Sequence, residues 1–328
     1  MLCVIQNGTR SRQVNDVRAW GGLIALRASA WLLTHLEPAI STRALEQIAS
    51  WQWRQATAAR QGLLCNLGHA LQRPMTDPAV EQAAQRAYRH LWLNYRDLFL
   101  GPRLEAAALH EKVQIEGEAI LQRLRQRGQG AILLGGHFAG GELALQALAA
   151  RGWPALIAAE RLHPPALFAW MCQLRGAHGH RFAASDAVLM LMVRRLRQGG
   201  LVGLMMDRDT TGSGRAVTLC GAAARLPIGA LRLSNRLRAP VIPMSARRLR
   251  ADRVELTIHE PLAWTTTPAE EETLTNGLTA MAAQLERLIT WQPDQWVLTT
   301  PLWETVKGDA LRSSHPTISP YQAESPSM

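Results

Sequence analysis

The chain reads as an α/β protein, and three observations carry that reading. Between residues 113 and 206 short apolar runs alternate with stretches of helical periodicity, the pattern of strand–helix–strand units laid side by side in a parallel sheet and covered by helices. A length of 328 residues with 47% hydrophobic content supplies a core for one large domain or two small ones. Cys3, Cys65, Cys172 and Cys220 lie far apart without CxxC spacing, so neither a disulfide framework nor a zinc site is implied and a reducing compartment fits best.

The first apolar stretch, residues 19–40, is broken by Arg27, His35 and Glu37. It falls short of the ~20 uninterrupted apolar residues that cross a bilayer. Trp20, Leu23, Ile24, Trp31 and Leu32 share one face at helical spacing, with Arg10, Arg12 and Arg18 upstream. That combination predicts an interfacial helix over about residues 19–37, lying on an anionic leaflet, although an amphipathic helix packed on the core has the same spacing. No small-residue cleavage site follows a short apolar run, so no signal peptide is read.

Pro38 ends that segment, and helical periodicity returns over 41–71 and 78–100, giving a helical region over 1–110 that is rich in tryptophan (Trp51, Trp53, Trp92). From Lys112 the period changes. Strands are expected at 113–115, 131–134, 155–159, 181–183 and 201–206, with helices at 117–127, 143–151, 164–174 and 187–198 between them. Strands at 216–219, 241–247 and 253–259 and a helix at 268–289 complete an α/β core over 111–305. The Ser/Pro-rich end, 306–328, has little to bury and is expected to be disordered.

The stretch AILLGGHFAGGELALQA, residues 131–147, places His137 on a tight turn between a strand and a helix. Glu142 follows in the first helical turn, where backbone N–H groups and the helix dipole favour a carboxylate. Its expected role is to orient the imidazole. With ten histidines and 26 acidic residues in the chain, roughly one His-x4-acid pair arises by chance, so a capping carboxylate beside an unrelated histidine fits the spacing too. Gly135, Gly136, Gly140 and Gly141 strip side chains from both sides of His137, which suits the close approach of a substrate. Asp207-Arg208-Asp209 follows the apolar run LVGLMM and should emerge at a strand's carboxyl end on the same rim. Arg175 closes the helix FAWMCQL. A turn cap for either aspartate and a solvated helix end for Arg175 are the plain alternatives.

A formal net charge of +10 calls for an anionic partner: nucleic acid, lipid headgroups or phosphorylated small molecules. GxxxxGK[ST], GxSxG and HExxH are all absent, and no basic-aromatic interleaving marks a nucleic-acid binder. What remains is a histidine base with an acidic partner and no protein nucleophile. It implies direct attack of a substrate hydroxyl or amine on an activated acyl group.

The segment VQIEGEAILQRLRQRGQGAILLGGHFAGGELA resembles the core of the bacterial lipid A biosynthesis (lauroyl/myristoyl) acyltransferases, related to other glycolipid acyltransferases with a His-x4-Asp/Glu motif. Three later stretches agree: Asp207-Arg208-Asp209, VTLCGAAARLPIGALRLSNRLRAPVIPM, and residues 293–296 with Trp303. The resemblance implies a mixed, largely parallel α/β sheet flanked by helices and docked through its N-terminal region on the cytoplasmic face of the inner membrane. It implies an acyl-carrier-protein or acyl-CoA thioester as co-substrate, no resident cofactor or metal, and a hydroxyl on a phosphorylated glycolipid as acceptor. His137 would be the general base and Glu142 its orienting carboxylate, with Arg175 at the substrate, Asp207 or Asp209 as a second acidic contact to His137 or to the acceptor, and the Gly140 and Gly141 amides as oxyanion donors. Gly140-Gly141 stands where many members carry Asn-Trp, which removes bulk near the expected site. A non-catalytic lipid-binding protein on the same scaffold is the competing class.

Overall fold

The computed structural model describes residues 12–303 except 56 and 211, with side chains described from Trp20 onward. The predicted tail at 306–328 and the side chains of Arg10, Arg12 and Arg18 lie outside the described residues. Helices α1 (Arg12–His35), α2 (Pro38–Trp53), α3 (Ala58–Leu71), α4 (Pro78–Leu100) and α5 (Ala106–Lys112) precede strand β1 (Val113–Glu116). Strand and helix then alternate through α6 (Glu118–Gln126), β2 (Ala131–Gly135), α7 (Gly141–Ala150), β3 (Ala155–Ala159), α8 (Pro165–Arg175), β4 (Arg181–Ala184), α9 (Leu189–Arg197) and β5 (Leu201–Met205). After these come β6 (Arg215–Leu219), β7 (Ala222–Leu226), α10 (Gly229–Leu237), β8 (Val241–Arg250), β9 (Arg253–Ile258), α11 (Glu270–Trp291) and a 3-10 turn at Pro293–Gln295.

The result is a mixed α/β architecture around a seven-stranded sheet of order β1-β9-β8-β2-β5-β3-β4, with β6 and β7 forming a separate hairpin. Every neighbour in the large sheet is parallel except β8 and β9. β2 is central, flanked in parallel by β5 and β8, and its apolar run from Ala131 to Leu134 is buried throughout, as a strand covered on both faces requires. In the β2–β5 register Gly135 lies opposite Met205. Two residues further along each strand come His137 and Asp207, so the parallel pairing delivers both to the same carboxyl edge, where open α/β sheets place their chemistry.

The helical region before β1 packs into the same core as the sheet: Trp53 of α2, Leu63 and Leu67 of α3 and Ala84 of α4 are all buried in one continuous apolar cluster. Each such leucine contributes about 1.5–3 kcal/mol on burial. α1 is attached differently. Leu23 and Ala30 are buried, and Ala30 joins Leu98, Phe99 and Met171 in a second, smaller cluster, while Trp20, Ile24, Trp31 and Leu32 remain exposed. Among the described residues no helix is long and apolar enough to cross a membrane.

The stretch expected as one helix over 41–71 is two. α2 ends at Trp53, and Thr57 caps α3 by accepting the Arg60 N–H, a local bond that competes with continuing the helix. α5, β7 and α10 were not foreseen. α5 is too short to show a period, and the Ala/Arg-rich β7 lacks the β-branched residues that mark a strand.

Candidate active site

His137 sits on the turn that leaves β2, and its side chain is 35% exposed. Nδ1 lies 2.9 Å from Asp207 Oδ1, while the His137 backbone N–H donates to Asp207 Oδ2 at 2.7 Å. Asp207 is fully buried. Burial by itself would raise its carboxyl. The charge of His137 and the hydrogen bonds from His137 and Trp296 outweigh that and hold it below the usual carboxylate range. An ionised carboxylate only accepts hydrogen bonds, so Nδ1 must carry the proton and Nε2 is left as the basic nitrogen. Gly136 makes the approach possible, since a Cβ there would stand 2.6 Å from the Phe138 ring and 3.3 Å from Asp207 Oδ2.

Two further elements hold this turn. Trp296, fully buried, donates its indole N–H to Asp207 Oδ2 at 2.9 Å. From α4, Asn94 accepts the Gly140 N–H at 2.7 Å and donates to the Phe138 carbonyl at 3.0 Å. Asn94 is braced in turn by Arg248, whose guanidinium donates to it at 2.9 Å and to buried Asp97 at 2.6 Å; Arg96 meets the other oxygen of Asp97 at 2.9 Å. Asn94, Asp97 and Arg248 were missed as supporting residues. The readable signal was in α4, where Asn94, Arg96 and Asp97 interrupt an apolar run, a pattern that favours a satisfied buried network over a solvated face.

Glu142 does not orient His137 in this structure. Both of its oxygens are taken by Arg175, with Nε at 3.1 and 3.0 Å and Nη2 at 2.5 Å, and Glu142 raises the proton affinity of that guanidinium. Two residues expected at the imidazole and at the substrate are thus brought to each other, fastening the start of α7 to the end of α8 by a bidentate ion pair. The expected oxyanion donors are also engaged: the Gly140 N–H goes to Asn94 and the Gly141 N–H to the Phe138 carbonyl at 3.2 Å. Gly140 has φ +80° and packs against Val254, which explains the residue type by backbone and space. Asp209 Oδ2 accepts the Gly214 N–H at 2.6 Å at the entry to β6.

Arg248 is buried and structural, and Arg247 pairs with Glu255 while lying over the Trp291 ring. A groove of about 670 Å³ lined by Leu156, Phe182, Leu191, Arg181, Arg194 and Arg195 opens at the amino ends of β3 and β4, the opposite end of the strands from His137. It is therefore separate from the His137 site.

A buried carboxylate stands behind a partly exposed histidine at the carboxyl edge of a parallel sheet, where α/β folds place their chemistry. Residues 9–305 match the profile of the bacterial lipid A biosynthesis acyltransferases, and the chain belongs to that family. It is an acyltransferase. It is also similar, at 24% identity over 266 residues, to the phosphatidylinositol mannoside acyltransferase of Mycolicibacterium smegmatis, covering 78% of this chain and 84% of that one.

Proposed function

We propose that the protein moves a fatty acyl chain from an acyl thioester, carried by acyl carrier protein or coenzyme A, to a hydroxyl of a phosphorylated glycolipid at the cytoplasmic face of the inner membrane. The observation that carries the chemistry is the contact between Asp207 and Nδ1 of His137, which leaves Nε2 as the proton-accepting nitrogen of a partly exposed ring. Nε2 takes the proton of the acceptor hydroxyl as its oxygen bonds to the thioester carbonyl carbon. The tetrahedral oxyanion then collapses, the C–S bond breaks, and the imidazolium returns its proton to the departing thiolate. Asp207 stabilises the imidazolium in between, a form of assistance that contributes about 10²–10⁴-fold in rate.

A net charge of +10 and the phosphoglycolipid named for the mycobacterial relative support an anionic lipid acceptor. The exposed apolar face of α1 supports contact with a leaflet. The test is an assay of the purified protein with acyl-carrier-protein and coenzyme A thioesters and a bacterial lipid extract, with products read by mass spectrometry. A new ester on a phosphorylated glycolipid is expected, and none from a folded His137→Ala variant. Wild-type turnover by that variant removes His137 from the chemistry, and equal use of an uncharged acceptor overturns the acceptor reading.

A further inference from the structure

The segment that follows α11 returns beneath the turn carrying His137 and pairs with it. The Gln295 carbonyl accepts the Ala139 N–H at 2.7 Å, Phe138 and Trp296 form an antiparallel bridge, and the Val297 N–H donates to the His137 carbonyl at 2.8 Å. The indole of Trp296 then reaches Asp207 Oδ2, the oxygen that also receives the His137 amide, so that Oδ1 is the one facing the imidazole. One short strap therefore fixes the backbone of the base and the plane of its carboxylate together.

A ring placed there for volume alone needs no donor. A donor aimed at a fully desolvated carboxylate does something further, because a buried charge is stable only while its lone pairs are matched. We propose that Trp296 is a positioning residue for acyl transfer: its indole N–H keeps the Asp207 carboxylate ionised and turned toward Nδ1, and so holds Nε2 of His137 on the substrate side. This rests on His137 being the base.

Removing the N–H has a definite consequence for proton uptake. The state with neutral imidazole and bare carboxylate loses most, whereas in the protonated state the imidazolium still compensates the carboxylate in full. The pair therefore takes up its proton more readily, and the acid limb of kcat/KM moves to higher pH. A carboxylate free to rotate also lowers kcat without changing substrate contacts.

Trp296→Phe keeps an aromatic ring and deletes the donor. Trp303→Phe is the matched control, since Trp303 is also buried, packs edge-on against Trp296 with ring centroids 6.2 Å apart, and gives its N–H to the Leu219 carbonyl instead. Trp296→Phe is expected to raise the acid limb by about half to one pH unit and to lower kcat about tenfold at nearly unchanged KM. Trp303→Phe is expected to lower the melting temperature and leave the limb in place. An unmoved limb in Trp296→Phe, or the same displacement in both variants, overturns the proposal. In the wild-type protein, independently of any variant, the Trp296 indole N–H resonance should shift with the midpoint of the acid limb, and an insensitive resonance overturns the proposal as well. The two failures are distinguishable: an active His137→Ala variant removes the base, whereas an inactive one beside an unmoved Trp296→Phe limb removes only the role of Trp296.

Discussion

Asp207 leaves β5 fully buried and accepts hydrogen bonds from the His137 ring, the His137 amide and the Trp296 indole, while Glu142, at 17% side-chain exposure, gives both oxygens to Arg175. Only Glu142 is close to His137 in sequence. Only Asp207 is hydrogen-bonded to its ring. Nearness along the chain placed a carboxylate at a helix start, where the dipole and an arginine satisfy it. Pairing between parallel strands placed the other carboxylate against the imidazole, whose charge and hydrogen bonds, with that of Trp296, outweigh its burial. One carboxylate is thus committed to the histidine and the other to the join between α7 and α8.

The largest test of that contrast is Asp207→Asn, which keeps the shape and removes the charge. Its kcat is expected to fall by about 10² or more, since the imidazolium loses its counter-charge. Because the folded Asp207 carboxyl is depressed, wild type holds a stabilisation that is present above the ordinary carboxyl range near 3.8 and is lost as pH falls through the folded value. Acid unfolding curves of the Asn variant should lack that component. An Asn variant with wild-type kcat would equate the two carboxylates.

The glycines beside the two carboxylates sharpen the comparison. Gly136→Ala puts a Cβ 2.6 Å from the Phe138 ring on the Asp207 side and should cost about 1–3 kcal/mol in chemical denaturation. Gly141→Ala meets nothing within 4 Å on the Glu142 side and should be neutral or stabilising by up to about 1 kcal/mol. Similar losses for both would mean that the Asp207 side is no more tightly built.

The smallest effect concerns the second pair. Glu142→Ala and Arg175→Ala should each lower stability modestly, with a coupling of about 1 kcal/mol in a double-mutant cycle, discounted for the partial exposure of both groups. Turnover in Glu142→Ala should fall far less than in Asp207→Asn. A fall as large would return Glu142 to the chemistry.

Much of the fold was legible because its signals are local. The change from helical to alternating periodicity comes where β1 begins at Val113, and the apolar runs of β2, β3 and β5 coincide with the expected strands. His137 on its turn and Asp207 at a strand's end were readable for the same reason. Their contact was expected only as one alternative, a second acidic contact from Asp207 or Asp209 to His137 or to the acceptor; which of these forms depends on β2 lying next to β5 rather than next to β3, and strand order is not written in any local pattern. The strap from Gln295 to Val297 and the Asn94–Arg248 brace escaped likewise: each joins segments about 45 to 160 residues apart, and only the folded chain shows which polar group meets which.

The return of Val297 to the His137 carbonyl orders events in time as well as in space. At about 5–20 residues per second, roughly ten to thirty seconds of translation separate His137 from the strap that pairs with it. A nascent chain therefore carries its histidine, and then Asp207, well before the indole that reaches them, and the contacts around Asp207 close only once residue 297 has been made.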